Sequence, residues 1–228
     1  MKDLFEHIND ATNIEIKVSS KQSLSGANAL YTYILTQHKK VSLYQNSVDI
    51  DNKYTFLPWF KKIKITPTPS ADLSIDFDMK ALELYNFFNK HEIKINQKMA
   101  TSLYAMFVEE SEGFTKDLDG TFFAICSLLI KNGAEYKKVT NYLMKRSSLA
   151  QLRLKAEMLL EMKLHNNASL AEFILSDEML KKSGATLEMA KENIKEALYI
   201  ECVQSVNMKY NDKIIEKLNK EKDFGKKK

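Results

Sequence analysis

Residues 14–34 read IEIKVSSKQSLSGANALYTYI, and the way this stretch divides decides the fold. Its first five residues alternate apolar and polar, the pattern of a half-buried strand. Ser25 and Gly26 then open an apolar-periodic segment through Ala29, Leu30, Tyr33 and Ile34, where the spacing predicts a helix. Strand, turn and helix in succession begin a β-α-β unit. Residues 39–44 (KKVSLY) and 71–78 (ADLSIDFD) predict two further strands, so the first 80 residues carry the rhythm of a parallel sheet. Pro67 and Pro69 mark a loop between them.

From Ala81 the period becomes helical. One stripe is Ala81, Leu84, Tyr85 and Phe88, a second Met99, Leu103, Met106 and Phe107, and a third Phe122, Ile125, Leu128 and Leu129. Gly133 is placed to end the third helix in left-handed conformation, and a fourth begins near Glu135. A fifth carries Leu149, Leu152, Ala156 and Leu159 on one stripe and is expected to serve as a connector over 147–164. Beyond it, 168–175 (ASLAEFIL) predicts a strand, Ser176 caps a short helix and Thr186 a longer one, and 210–220 reads as a weak helix. The expected organisation is an α/β domain with a helical layer over 1–146, the connector, and a small α+β module over 165–228.

That module lacks an obvious second strand except at 201–206, and one strand or a lone pair is marginal in water. The Thr186 helix must therefore cover it. The surplus of apolar residues at Leu187, Ile194, Leu198 and Ile200 is expected either to form a surface for self-association or a protein partner, or to be buried where the module folds back on the main body.

The 228 residues are 44% apolar and 28% charged, with 6 Gly and 3 Pro, which is the composition of an ordinary globular chain. The net charge of +4 comes from 34 bases interspersed with 30 acids, so nucleic-acid attraction is expected to be weak. Lys145, Arg146, Arg153 and Lys155 are the candidates to follow a phosphate backbone, but they lie near Glu157 and Glu161, and a solvated face is the favoured reading. The Lys226, Lys227, Lys228 tail reads as a solvated terminus. Cys126 and Cys202 belong to no C-x-x-C pair and are expected to be reduced, buried thiols. No apolar run of 18 residues and no export signal is seen, so a cytoplasmic protein without membrane attachment is expected.

His7, His38, His91 and His165 have no second ligand at helical spacing, and each reads as a surface histidine. Asp76 and Asp78 end a predicted strand at its carboxyl edge, where open α/β sheets place ligands. Glu109, Glu110 and Glu112 end a helix. A solvated face is favoured there over a metal or acid/base site.

Taken together these elements resemble the DHH phosphoesterases, in the branch of nano-RNases and phosphoadenosine phosphatases. The match is carried by LELYNFFNKHEIKINQKMATSLYAMFVEESEGF (82–114), DGTFFAICSLLIKNGAEY (119–136), SLAQLRLKAEMLLEM (148–162) and DEMLKKSGAT (177–186). The resemblance implies a DHH-like first domain and a truncated module like the family's second domain. The family's first motif, H-x-N-P-D-x-D-x-x-G-S, falls on 17–27 (KVSSKQSLSGA) and keeps only Gly26. Lys17 stands at the histidine, and Lys21 and Ser23 at two aspartates. Asp78 matches the second motif's aspartate, Glu110 replaces the fourth motif's aspartate, and no D-H-H is present. A glycine-rich G-G-G-H segment is also missing.

Two carboxylates do not build a site for two cations roughly 3.5 to 4 Å apart. No cofactor is therefore expected, with Mn or Mg entering at Asp78 and Glu110 only if residual activity exists. Gly26 and Lys21 remain as a modest anion or nucleotide site at a helix start. Three readings stay open: a catalytically degenerate binding or assembly protein, a residual hydrolase of short oligoribonucleotides or phosphoadenosine phosphate, and a non-catalytic nucleic-acid-binding module.

Overall fold

In the computed structural model, which describes residues 3–18, 20, 23–46, 52–116 and 118–220, the three strands expected in the first 80 residues form one sheet. The chain divides into two units, Met1–Arg146 and Ser147–Lys228. In the first, β1 (Asn13–Val18), β2 (Lys40–Tyr44), β3 (Ile63–Lys64) and β4 (Leu73–Phe77) lie in the order β3-β2-β1-β4, and every neighbouring pair is parallel. The register sets Ile14 beside Val41 and Leu73, and Ile16 beside Leu43 and Ile75. Because strand side chains alternate, these residues share one face with Val18 and Phe77. That face is apolar and is covered by α2 (Ser23–Thr36), against which α4 (Gln97–Glu110) packs in turn.

Gly26 explains how closely α2 approaches. A Cβ there would lie 2.5 Å from Cζ of Phe77 and 2.8 Å from Sδ of Met106, so only a bare Cα fits between β4 and α4. The opposite face carries Glu15, Lys17, Ser42, Tyr44, Ser74 and Asp76. Part of it lies under the 65–70 loop, where the Glu15 carboxylate accepts from the Thr68 amide and the Ser42 hydroxyl lies 2.9 Å from that of Thr68. Around this sheet stand α1 (Leu4–Asp10), α3 (Ala81–Lys90), α5 (Gly120–Lys131) and α6 (Tyr136–Thr140), the last running into a wider helical turn at Asn141–Lys145. Gly133 follows α5 with φ of 89°, the left-handed residue that its position predicts.

The second unit is built differently from the expectation. Its sheet has four strands, β5 (Lys163–His165), β6 (Leu170–Leu175), β7 (Ser205–Tyr210) and β8 (Lys213–Asn219), in that order. The central β6–β7 pair is parallel and the outer pairs antiparallel. Residues 213–219, expected to be helical, are a strand. Asn211 and Asp212 take φ of 52° and 60° between two paired strands, a two-residue hairpin turn that their side chains tolerate. That turn outweighs the helical spacing of the flanking residues.

Between β6 and β7 the chain makes α8 (Asp177–Ser183), capped by Ser176, then α9 (Leu187–Asn193), capped by Thr186, and a tight turn Ile194–Tyr199. The expected connector, α7 (Leu149–Leu160), belongs to this unit. Its Leu154 and Met158 enter the core with Phe173, Val206 and Met208. The predicted stripe is the other face of the helix: Leu149, Leu152 and Leu159 are 63%, 51% and 37% exposed. Among the described residues no helix is long and apolar enough to cross a membrane.

Candidate functional site at the carboxyl edge of the first sheet

Parallel strands deliver their carboxyl ends to one edge. Here β1 leads towards the start of α2, and β4 leads through Asp78 into α3. α4 brings its last turn, with Glu109 and Glu110, to the same edge. One oxygen of Glu109 accepts from the Ser25 hydroxyl at 2.6 Å, and the other accepts from the Tyr54 hydroxyl. Ser25 is in the first turn of α2, and the fully buried Tyr54 ends a short helical turn, Asn52–Tyr54. Burial pushes the Glu109 carboxyl up to about 7. The Ser25 and Tyr54 hydrogen bonds and the Lys53 charge hold it down in part, while the Glu110 charge adds a smaller push upward.

Glu110 is occupied as well. Its Oε1 accepts from the Ala81 amide at 2.7 Å, which caps α3 with a carboxylate where the helix dipole favours negative charge. Burial raises its pKa, opposed by that hydrogen bond and by Lys80. Asp78 is exposed on the loop three residues before Ala81, so Asp78 and Glu110 share a corner. Lys17 sits on the polar face of β1, registered beside Tyr44 and Asp76.

Ser23 is buried and tied to Ser20. The two hydroxyls are 2.6 Å apart, and each accepts from the other residue's amide. Gly26 is buried in α2 as a packing residue. Lys21 and the lysine tail lie outside the described residues. Among the described residues no three Asp, Glu, His or Cys side chains converge as a metal ion requires.

The other predicted positions fall in both units. Lys145 and Arg146 close the first unit and Arg153 and Lys155 open the second. The Arg146 guanidinium stacks on Tyr142 at 3.5 Å, and Lys155 pairs with Glu196 at 2.6 Å.

The expected association surface needs correction. Ile194 is fully buried in the core of the second unit, and Leu187, Leu198 and Ile200 pack against that core. A four-stranded sheet offers far more apolar face to cover than a lone strand, and these residues are spent covering it. Cys202 is exposed and not buried, whereas Cys126 is buried, with its thiol pushed up to about 11 by burial. His91 is not a surface histidine either: its ring stacks on Phe5 at 4.0 Å, with Nε2 3.4 Å from Asp3. The contribution of Tyr54 was illegible in sequence, because the 45–62 segment shows no periodicity.

No protein-family model matches this chain, and no curated protein matches it. Solved structures do. A protein from Methanococcus jannaschii assigned as a family II inorganic pyrophosphatase overlaps 88% of this chain and 83% of its own at 10% identity, but its TM-score of 0.34 is too low to bear on the fold. An exopolyphosphatase-related protein from Bacteroides fragilis superposes with a TM-score of 0.75 at 15% identity, over 91% of this chain and 78% of its own. The chain thus has the α/β fold of that exopolyphosphatase-related protein.

Proposed function

We propose that this chain is a catalytically degenerate member of the DHH phosphoesterases that works by binding a protein partner, such as an intact relative of the same fold, and not by two-metal hydrolysis. The observation that carries this reading is the commitment of both carboxylates at the end of α4 to protein donors. Glu109 is held by two hydroxyls and Glu110 by a backbone amide. A two-metal phosphoesterase keeps such carboxylates for its cations.

Further support comes from Lys17 and Ser23, which stand where the resemblance places a histidine and an aspartate. An ammonium near a cation site repels the ion, and a serine hydroxyl tied to Ser20 is a poor ligand. Any binding of nucleotide at the α2 start is weak on this reading, since Gly26 serves packing and no metal charge reinforces the amides.

The test is a hydrolysis assay with short RNA and with phosphoadenosine phosphate in the presence of manganese, alongside metal analysis of the purified chain. No turnover and no tightly bound metal are expected. Turnover within a hundredfold of an intact relative, abolished by Asp78→Ala, would favour the residual hydrolase and overturn the proposal.

A further inference from the structure

Helix α5 is apolar almost all round. Residues 120–130 include no charged side chain. Ile125, Cys126 and Leu129 enter the core of the first unit with Phe122 packed beside them, yet Phe123, Leu128 and Ile130 remain 51%, 45% and 38% exposed. Phe114, on the turn before the helix, stacks on Phe123 at 5.9 Å and extends the patch. A helix that is hydrophobic on every side is ordinarily buried on every side, and a contiguous exposed apolar patch marks an interaction surface.

The ends of the helix specify what fits there. Asp119 caps it, accepting from the Phe122 amide at 2.9 Å, and Lys131 lies in its last turn. An occupant must therefore be apolar over about 16 Å, the length of eleven helical residues, with a base opposite Asp119 and an acid opposite Lys131. A second α5 laid antiparallel meets all three requirements. A two-fold axis crossing the exposed face at the level of Ile125 along the helix sets Asp119 opposite Lys131 of the second copy, and Phe123 opposite the small Ser127 of the second copy. The helix dipoles then oppose each other, and the contact closes on itself.

We propose that the exposed face of α5 is a homodimer interface in which two copies of this chain pair antiparallel about a two-fold axis. The inference goes beyond the proposed function and holds whether or not metal chemistry survives.

Sedimentation equilibrium of the full chain across the micromolar range tests it, with two variants on α5 and Leu152→Glu on α7 as a control. Phe123→Glu places a charge at the centre of the patch, at a half-exposed position outside the core cluster. Asp119→Asn removes a charge but keeps the cap, because asparagine caps a helix as well as aspartate. The wild type is expected to dimerise, Phe123→Glu to weaken the dimer by roughly tenfold or more while remaining cooperatively folded, and Asp119→Asn to weaken it several-fold with a shallower salt dependence. Three results would overturn the proposal: a wild type monomeric at every concentration, its α5 face left to another protein; a dimer equally tight in both variants; or a dimer broken instead by Leu152→Glu on α7.

Discussion

Replacing Glu109 by glutamine separates its proton from its packing. A glutamine has nearly the same shape, its carbonyl accepts from the Tyr54 hydroxyl, and its amide donates to Ser25 once that hydroxyl rotates. The carboxyl of Glu109 titrates at about 7 in the folded chain against an ordinary 4.5. Its folded pKa is raised, so the stability it contributes is fully present below 4.5 and is lost as pH rises through about 7, after which the contribution is flat.

At about 1.4 kcal/mol per unit, the difference amounts to at most about 3 kcal/mol, and relaxation around the ionised group reduces it. Trp59, the one tryptophan, reports on the first unit alone, since its amide donates to Asn28 and its indole to Thr32. Urea unfolding followed by Trp59 fluorescence at pH values from about 4.5 to 8 gives the stability of wild type minus that of Glu109→Gln. Groups common to both proteins cancel in this difference, which is expected to fall by about 2 to 3 kcal/mol across the range. A difference independent of pH would refute the assignment of a buried, neutral-range carboxyl.

Two further outcomes follow from the packing. Gly26→Ala, whose new methyl meets Phe77 and Met106, is expected to destabilise the first unit by about 1 to 3 kcal/mol, read as a lower midpoint in the same fluorescence titration; an unchanged midpoint would show that β4 and α4 yield freely. Ile194→Asp, which buries a charge in the second core, is expected to abolish that unit's cooperative transition by circular dichroism, while Tyr199→Asp, at a residue 79% exposed, leaves it unchanged. Equal effects of the two would contradict the placement of the turn that holds them.

The parts of the fold that were legible share a physical cause. β1, β2 and β4 each have a run of apolar residues facing a helix layer, and α2 to α5 each have a stripe facing the core, so hydrophobic periodicity reported both. The failures lie where periodicity is ambiguous. In α7, Leu149, Leu152 and Leu159 form a stripe as regular as that of Leu154 and Met158, and sequence does not say which stripe the core takes. In β8, KIIEKLN fits a helix as well as a strand until the Asn211–Asp212 turn is recognised. At the candidate site Asp78 and Glu110 were visible as carboxylates near a sheet edge. The partners that fix Glu109 lie 55 and 84 residues away along the chain, Tyr54 in an unpatterned loop and Ser25 at a helix start, and contacts of that range leave no local signature.

The corner at the end of α4 is an electrostatic problem with two available solutions. Adjacent glutamates at a helix C-terminus repel each other and face the negative end of the dipole, so something must compensate them. Cations are one solution. This chain has the other: Glu109 is buried until it holds its proton near neutrality, and Glu110 turns to the positive N-terminus of α3. Each carboxylate is then satisfied without an ion, and a returning cation must pull both from donors that pack the core. On the proposed function, in which Lys21 stands at a ligand position of the resembling family, a single Lys21→Asp exchange is expected to leave the purified chain free of bound manganese by metal analysis, because it leaves Glu109 and Glu110 with their donors; stoichiometric metal in that variant would refute the idea that groups acting as a unit are recovered together or not at all.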